Sequence, residues 1–160
     1  MLKSPAFNDG GKMPKKYTID GGSTSPPLQW GEPPKGTKSF ALLMEDLDVP
    51  PEYGGMFIHW MVADIPASAR SFEEGKIPAG SKSINNMYAG SGKMEFAQYG
   101  PPWPPGSHRY KFTLYCLNTE KLGLAAEAGF QKFKETVDAH KLGAESLIGV
   151  YGPAETPPAW

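Results

Sequence analysis

The chain has 160 residues, the size of one ordinary domain, and at that length a core can form without disulfide or metal staples. With 16 basic and 17 acidic residues the net charge is −1, which excludes a broad basic face gripping a nucleic-acid backbone. Gly (19) and Pro (17) are abundant yet short of the roughly 25–30% that marks disorder, and 12% aromatics point to a loop-rich, all-β chain.

The first 36 residues are cut by turn formers: Asn8-Asp9-Gly10-Gly11, Asp20-Gly21-Gly22-Ser23, Pro26-Pro27 and Pro33-Pro34. A short strand is expected at Lys15–Tyr17. Ser39 to Met44 is a compact apolar run between turn signals, as in a strand buried on both faces. Asp46-Leu47-Asp48-Val49-Pro50-Pro51 breaks it. Met56 to Val62 reads as the next strand, with His59 its only polar residue. Residues 64–92 read as irregular. Gly100 to Gly106 forms a rigid Pro-rich loop around Trp103. His108 to Leu117 is the clearest strand: His108, Tyr110, Phe112, Leu114 and Cys116 share one face. Phe130, Phe133, Val137 and His140 make one amphipathic stripe, a helix over 130–141 with Gly143 placed as its C-terminal cap. Leu147 to Tyr151 is a last short strand, and the Pro-rich tail from Pro153 to Trp160 reads as loose. Short punctuated strands with one helix predict a single β-sandwich or barrel domain over residues 1–160.

Several chemistries lack their motifs. There is no Gly-x-Ser-x-Gly elbow, no phosphate loop and no His-Glu-x-x-His. The lone Cys116 excludes an intramolecular disulfide and a cysteine zinc cluster, and on an inward strand face it reads as a small buried apolar residue. No apolar leader follows Met1, and no 18-residue apolar stretch exists, so a cytoplasmic protein without a transmembrane segment is expected.

What remains is a constellation. Asp46 and Asp48 close one apolar strand, His59 lies inside a second, and His108 opens a third. Each has a bland reading. A histidine in an apolar strand is commonly a core residue with one satisfied hydrogen bond, and the two aspartates are commonly turn residues bonding backbone two positions on. If the strands are neighbours, their ends build one small polar pocket walled by aromatics and proline.

Four segments in order carry a family resemblance over most of the chain, from Ser4 to about Tyr151. They are Ser25-Pro26-Pro27-Leu28-Gln29-Trp30, Asp46-Leu47-Asp48-Val49-Pro50, His59-Trp60, and Tyr99-Gly100-Pro101-Pro102-Trp103-Pro104-Pro105-Gly106-Ser107-His108-Arg109-Tyr110. The chain resembles the bacterial and archaeal branch of the phosphatidylethanolamine-binding proteins, related to Raf kinase inhibitor protein. Leu47 stands where that family usually has proline. The resemblance implies two antiparallel sheets in a sandwich, one a Greek key, with a helix near the C-terminus. It also implies a small anion pocket at one end, lined by Asp46, Asp48, His59, His108 and Tyr110 with backbone around Gly100 and Pro102.

The function expected is binding of a small phosphate-like or zwitterionic ligand, such as a phosphoethanolamine head group, without catalysis, cofactor or metal. A protein partner, a serine protease or a kinase to be inhibited, is the alternative; a His-based hydrolase is the third reading; self-association as a homodimer stays open. Nearby carboxylates are expected to hold a histidine protonated, so that anions bind more tightly below about pH 6.5.

Overall fold

The computed structural model describes residues 1–152, so the tail from Pro153 lies outside the described residues. Among the described residues eight strands form two sheets: β1 (Gly11–Lys12), β2 (Leu28–Gln29), β3 (Ser39–Asp46), β4 (Phe57–Pro66), β5 (Ser71–Phe72), β6 (Lys82–Ile84), β7 (His108–Leu117) and β8 (Lys141–Tyr151). The six-stranded sheet runs β1-β8-β7-β3-β4-β6, and β2 pairs β5 in a small second sheet. Within the large sheet, β7-β3-β4-β6 is an antiparallel Greek key, the fourth strand returning beside the first. Among the described residues only the edge strand β1 is parallel to its neighbour, β8.

The apolar run of β3 explains its central place. Phe40, Leu42 and Met44 enter a core shared with Trp30, Phe72, Phe112 and Leu114, beneath the small sheet. Ala41 and Leu43 point the other way, into a second core with Leu117, Phe133 and Val137. Period-two alternation thus supplies both faces of one strand, and both are covered. The second cover is α2 (Gly129–His140), whose Phe133 and Val137 are fully buried. A shorter helix, α1 (Met87–Gly90), packs beside β4, where Ile58 N donates to Met87 Sδ at 3.4 Å.

Four local expectations are corrected. Lys15–Tyr17 is a 3-10 turn, because Pro14 fixes an entry from which Tyr17 N bonds Pro14 O. Residues 64–92 are less irregular than they read: β4 runs on to Pro66, and β5, β6 and α1 follow. Gly143 is no cap. The chain passes from His140 directly into β8, so Gly143 pairs with Cys116, and the helix's last carbonyl accepts from Asn118 N. The last strand therefore has 11 residues instead of five; pairing along β7 overrides its weak pattern.

Candidate functional site

The site grows from the register at one end of β3. Asp46, its last residue, stands opposite Tyr110 on β7 and Phe57 on β4. His108 is two residues before Tyr110 and so is the diagonal neighbour of Asp46 on the same face. Asp46 Oδ2 takes a hydrogen bond from His108 Nδ1 at 2.6 Å, and Oδ1 accepts from Asp48 N at 2.8 Å. The second bond is the ordinary aspartate turn. It curls the chain away, and Asp48 leaves the site to form a fork on Arg109, with Nη2 at 2.8 Å and Nε at 3.0 Å. The two acids, similar in sequence, have separate fates.

His59 reaches the site through an irregularity. Met44 pairs with Trp60 but Glu45 pairs with Ile58, so His59 is the extra residue of a β-bulge. Bulges re-aim side chains, and here the imidazole meets Tyr110 edge to face at 5.2 Å between centroids. Its Nδ1 lies 2.8 Å from the carbonyl of Gly100, while Gly100 N donates to the carbonyl of His59 at 2.8 Å. A carbonyl only accepts, so Nδ1 carries the hydrogen, and the neutral ring offers a lone pair at Nε2. Gly100 is required by space: a Cβ there would stand 2.5 Å from the Tyr88 ring and 2.7 Å from Asn86 Nδ2.

A cavity of about 360 Å³ opens at this point. Asp46, His59 and Tyr110 line it, with Phe57, Tyr88, Tyr53, Val49, Trp103 and Pro104 as walls and rim. Of the other expected residues, His108 lies behind Asp46, fully buried; Gly100 acts through its clasp on His59; and the Pro102 carbonyl accepts from Ile19 N. Asp48 does not line the cavity. A larger hollow of about 400 Å³ between Lys12 and Gly152 gathers none of these groups. Among the described residues no cluster of histidine, cysteine and acidic side chains has metal-holding geometry.

Asn86 went unmarked in the sequence, where Asn85-Asn86 reads as one more turn signal. The side chain is buried and makes four hydrogen bonds. Nδ2 faces the carbonyls of His59 (2.6 Å), Phe96 (2.7 Å) and Gln98 (2.8 Å), and Oδ1 accepts from Tyr88 N (3.0 Å) to cap α1. It ties the bulge, the cavity wall and the approach to Gly100 into one unit. Tyr88 adds a bond from its hydroxyl to the Pro101 carbonyl at 2.7 Å.

At His59 burial works against the expected protonation. Burial pushes the His59 pKa down to about 4, against a weaker upward pull from Gly100. The partner of His59 is a carbonyl, while the Asp46 carboxylate is engaged with His108. Burial also raises the Asp46 carboxyl, which the His108 bond only partly offsets, whereas Arg109 holds Asp48 low. Desolvation raises the Tyr88 and Tyr110 phenols.

The shift at His59 makes stability depend on pH. An unfolded chain takes up its proton near pH 6.5; the folded one resists until about 4. Between these values the unfolded state binds more protons, so the contribution is complete above pH 6.5 and is lost as pH falls. At about 1.4 kcal/mol per unit the loss is about 3 kcal/mol. The raised Asp46 works in the opposite direction above its ordinary value of 3.8 and reduces the net slope. Urea unfolding at pH 7 and pH 4 is expected to show this loss in the parent and not in His59→Gln; parallel profiles would refute it.

Comparison with known proteins gives a consistent neighbourhood. The family model for phosphatidylethanolamine-binding protein matches residues 3–152. A UPF0098 protein of Methanothermobacter thermautotrophicus is 39% identical over 155 residues, spanning 94% of this chain and 97% of its own. The crystal structure of a Chlamydia trachomatis homologue of phosphatidylethanolamine-binding proteins superposes with a TM-score of 0.81 at 33% identity, covering 95% of this chain and 96% of that one. Escherichia coli YbcL, described as a new member of the mammalian family, gives a TM-score of 0.82 at 27% identity, covering 96% and 98%.

Proposed function

The chain belongs to the phosphatidylethanolamine-binding protein family, and we propose that it acts as a non-enzymatic binder of small phosphorylated or zwitterionic molecules of the phosphoethanolamine kind. The observation that carries this reading is the cavity at the end of β3, where a carboxylate, an imidazole and a phenol stand within aromatic walls. Its volume of about 360 Å³ suits a head group and leaves no room for acyl chains. The cytoplasm is the location proposed with this reading; among the described residues no helix is long and apolar enough to cross a membrane.

Calorimetric titration with phosphoethanolamine tests the proposal. One ligand per chain is expected, with affinity falling about tenfold or more in His59→Ala, the size of a lost hydrogen bond to a charged group. Absence of binding, or a variant that binds as well as the parent, would overturn it.

A second reading, inhibition of a serine protease or kinase, is favoured by the rim, where Tyr53 is 60% and Trp103 52% exposed. Inhibition assays against such enzymes test it. Activity that survives Asp46→Asn would place the inhibitory surface outside the cavity.

A further inference from the structure

We propose a binding site separate from the cavity at the end of β3: a hollow of about 520 Å³ beside the small sheet that takes a phosphate monoester between Lys3 and Arg70, against the indole N–H of Trp30. The two linings share no residue, so the site goes beyond the binding role proposed above.

Strand pairing assembles it from three distant segments. Lys3 and Gln29 exchange backbone N-to-O bonds at 2.9 and 2.8 Å. Gln29 stands opposite Ser71 in the β2–β5 pair, and Trp30 N donates to the Arg70 carbonyl at 3.0 Å. Lys3, Trp30 and Arg70 thereby come to line one hollow. Its charged side chains are the two cations, and no aspartate or glutamate lines it among the described residues. The Met1 ammonium is engaged with Glu145 at 2.6 Å.

The Arg70 guanidinium is preorganised. Nη1 donates to the carbonyls of Ala67 and Ala69, both at 2.7 Å, which uses both of its hydrogens and fixes the plane of the group. Nε and Nη2 remain, the edge whose paired N–H groups match an oxyanion. Among the described residues that edge meets only Glu32, at a long 3.4 Å from Nη2, and the Glu32 side chain is 89% exposed. A surface pair of this kind contributes little, so an incoming anion can displace the carboxylate.

Trp30 gives an independent reason. Its ring stands edge to face with Phe40 at 5.4 Å between centroids, with Phe72 at 5.9 Å, and the residue is only 6% exposed. Nε1 has no hydrogen-bond partner among the described residues. An indole N–H only donates, and a buried donor without an acceptor is costly. An oxyanion seated beside Arg70 supplies that acceptor. Trp30 also borders a hollow of about 360 Å³, but Glu32 and Glu145 line that one, and an anion there would meet like charge. Two cations and a neutral donor match a phosphate monoester, which carries about −1.5 to −2 at pH 7, better than a singly charged carboxylate. The hollow is larger than a bare ion needs and leaves room for the alcohol part of the ester.

The test is proton–nitrogen NMR of the isotope-labelled chain at pH 7.5, titrated with inorganic phosphate, glycerol phosphate, capped phosphoserine and acetate. Trp30→Phe identifies the Trp30 indole resonance, and Trp103, which lines the other cavity, reports on that site separately. The Trp30 resonance is expected to shift saturably with the three phosphate probes, and acetate to bind about tenfold more weakly. Arg70→Gln should weaken glycerol phosphate about tenfold or more, the size of a lost hydrogen bond to a charged group. Lys3→Ala, which truncates an exposed side chain and keeps the backbone pairing, should weaken it about threefold and serves if Arg70→Gln does not fold. Glu32→Gln should tighten it about threefold, because the competing carboxylate is neutralised. Capped phosphoserine binding more tightly than glycerol phosphate supports the site with a phosphorylated side chain as the source; the reverse order supports it with a free ester. A Trp30 resonance that does not respond to phosphate, or affinities in Lys3→Ala and Glu32→Gln equal to the parent's, would overturn the site, whatever the Trp103 resonance does.

Discussion

Replacing Asn86 with alanine is expected to remove about 4 kcal/mol of stability and to abolish ligand binding. The side chain supplies Nδ2 to three carbonyls and Oδ1 to one amide, all around a residue that is only 4% exposed. An amide has two N–H groups, so one of the three donor contacts is shared. The His59 carbonyl keeps Gly100 N as a second partner. The carbonyls of Phe96 and Gln98 and the amide of Tyr88 each lose the bond this side chain makes, at about 1–3 kcal/mol for each group left unsatisfied, reduced where water can enter. Loss of the cap on α1 is part of the same sum. For a chain of this length the melting temperature should fall by about 8–16 °C. Asn86→Asp discriminates the cause. It keeps the acceptor for Tyr88 but sets a carboxylate against three carbonyls, and should be no better than alanine. Chemical denaturation of the two variants checks this; a tolerated aspartate would show that the donors are not what holds the wall.

The Asp46–His108 pair should show strong non-additivity. Both side chains are buried and their bond is 2.6 Å. Asp46→Leu removes the acceptor from His108 Nδ1 and a partner from Asp48 N, and should cost about 2–5 kcal/mol, at about 1–3 kcal/mol for each group left unsatisfied. His108→Phe alone leaves the carboxylate in a desolvated place and should cost a similar amount. Changing both together removes the stranded groups, so the double variant should be more stable than the sum of the single losses predicts by about 2 kcal/mol. It should bind phosphoethanolamine more weakly than the parent, because the Asp46 side chain that lines the cavity is gone. Additive losses in urea unfolding would mean that the two residues act independently.

The strands of the central sheet were legible because their burial is simple. Ser39 to Met44 and His108 to Leu117 carry residue types that only a two-sided core or a clean alternation accommodates, and the β7 boundaries coincide with those read from the pattern. The long β8 was not legible. Its first half, Lys141 to Ser146, is exposed or half-buried, and it is a strand because β7 offers a full edge to pair with. Lys15–Tyr17 went wrong for the opposite reason: local Pro14 geometry outweighed the apolar tyrosine.

By itself the sequence determined the family, through four ordered segments, and the set of residue types available for a pocket: two acids, two histidines, a tyrosine and a Pro-rich loop. Their roles were decided by tertiary structure. Asp46 and Asp48 have the same parity along the chain and would share a face in a regular strand, but β3 ends at Asp46 and a turn bond sends Asp48 to Arg109. His59 takes its direction from a bulge that exists only in the pairing of β3 with β4. Its tautomer is set by Gly100, 41 residues away, and its depressed pKa by burial, against the upward pull of that bond. Periodicity records which side chains must leave water; it carries no information on which carbonyl a buried imidazole will meet, because that distance is set by strands packing across the whole chain.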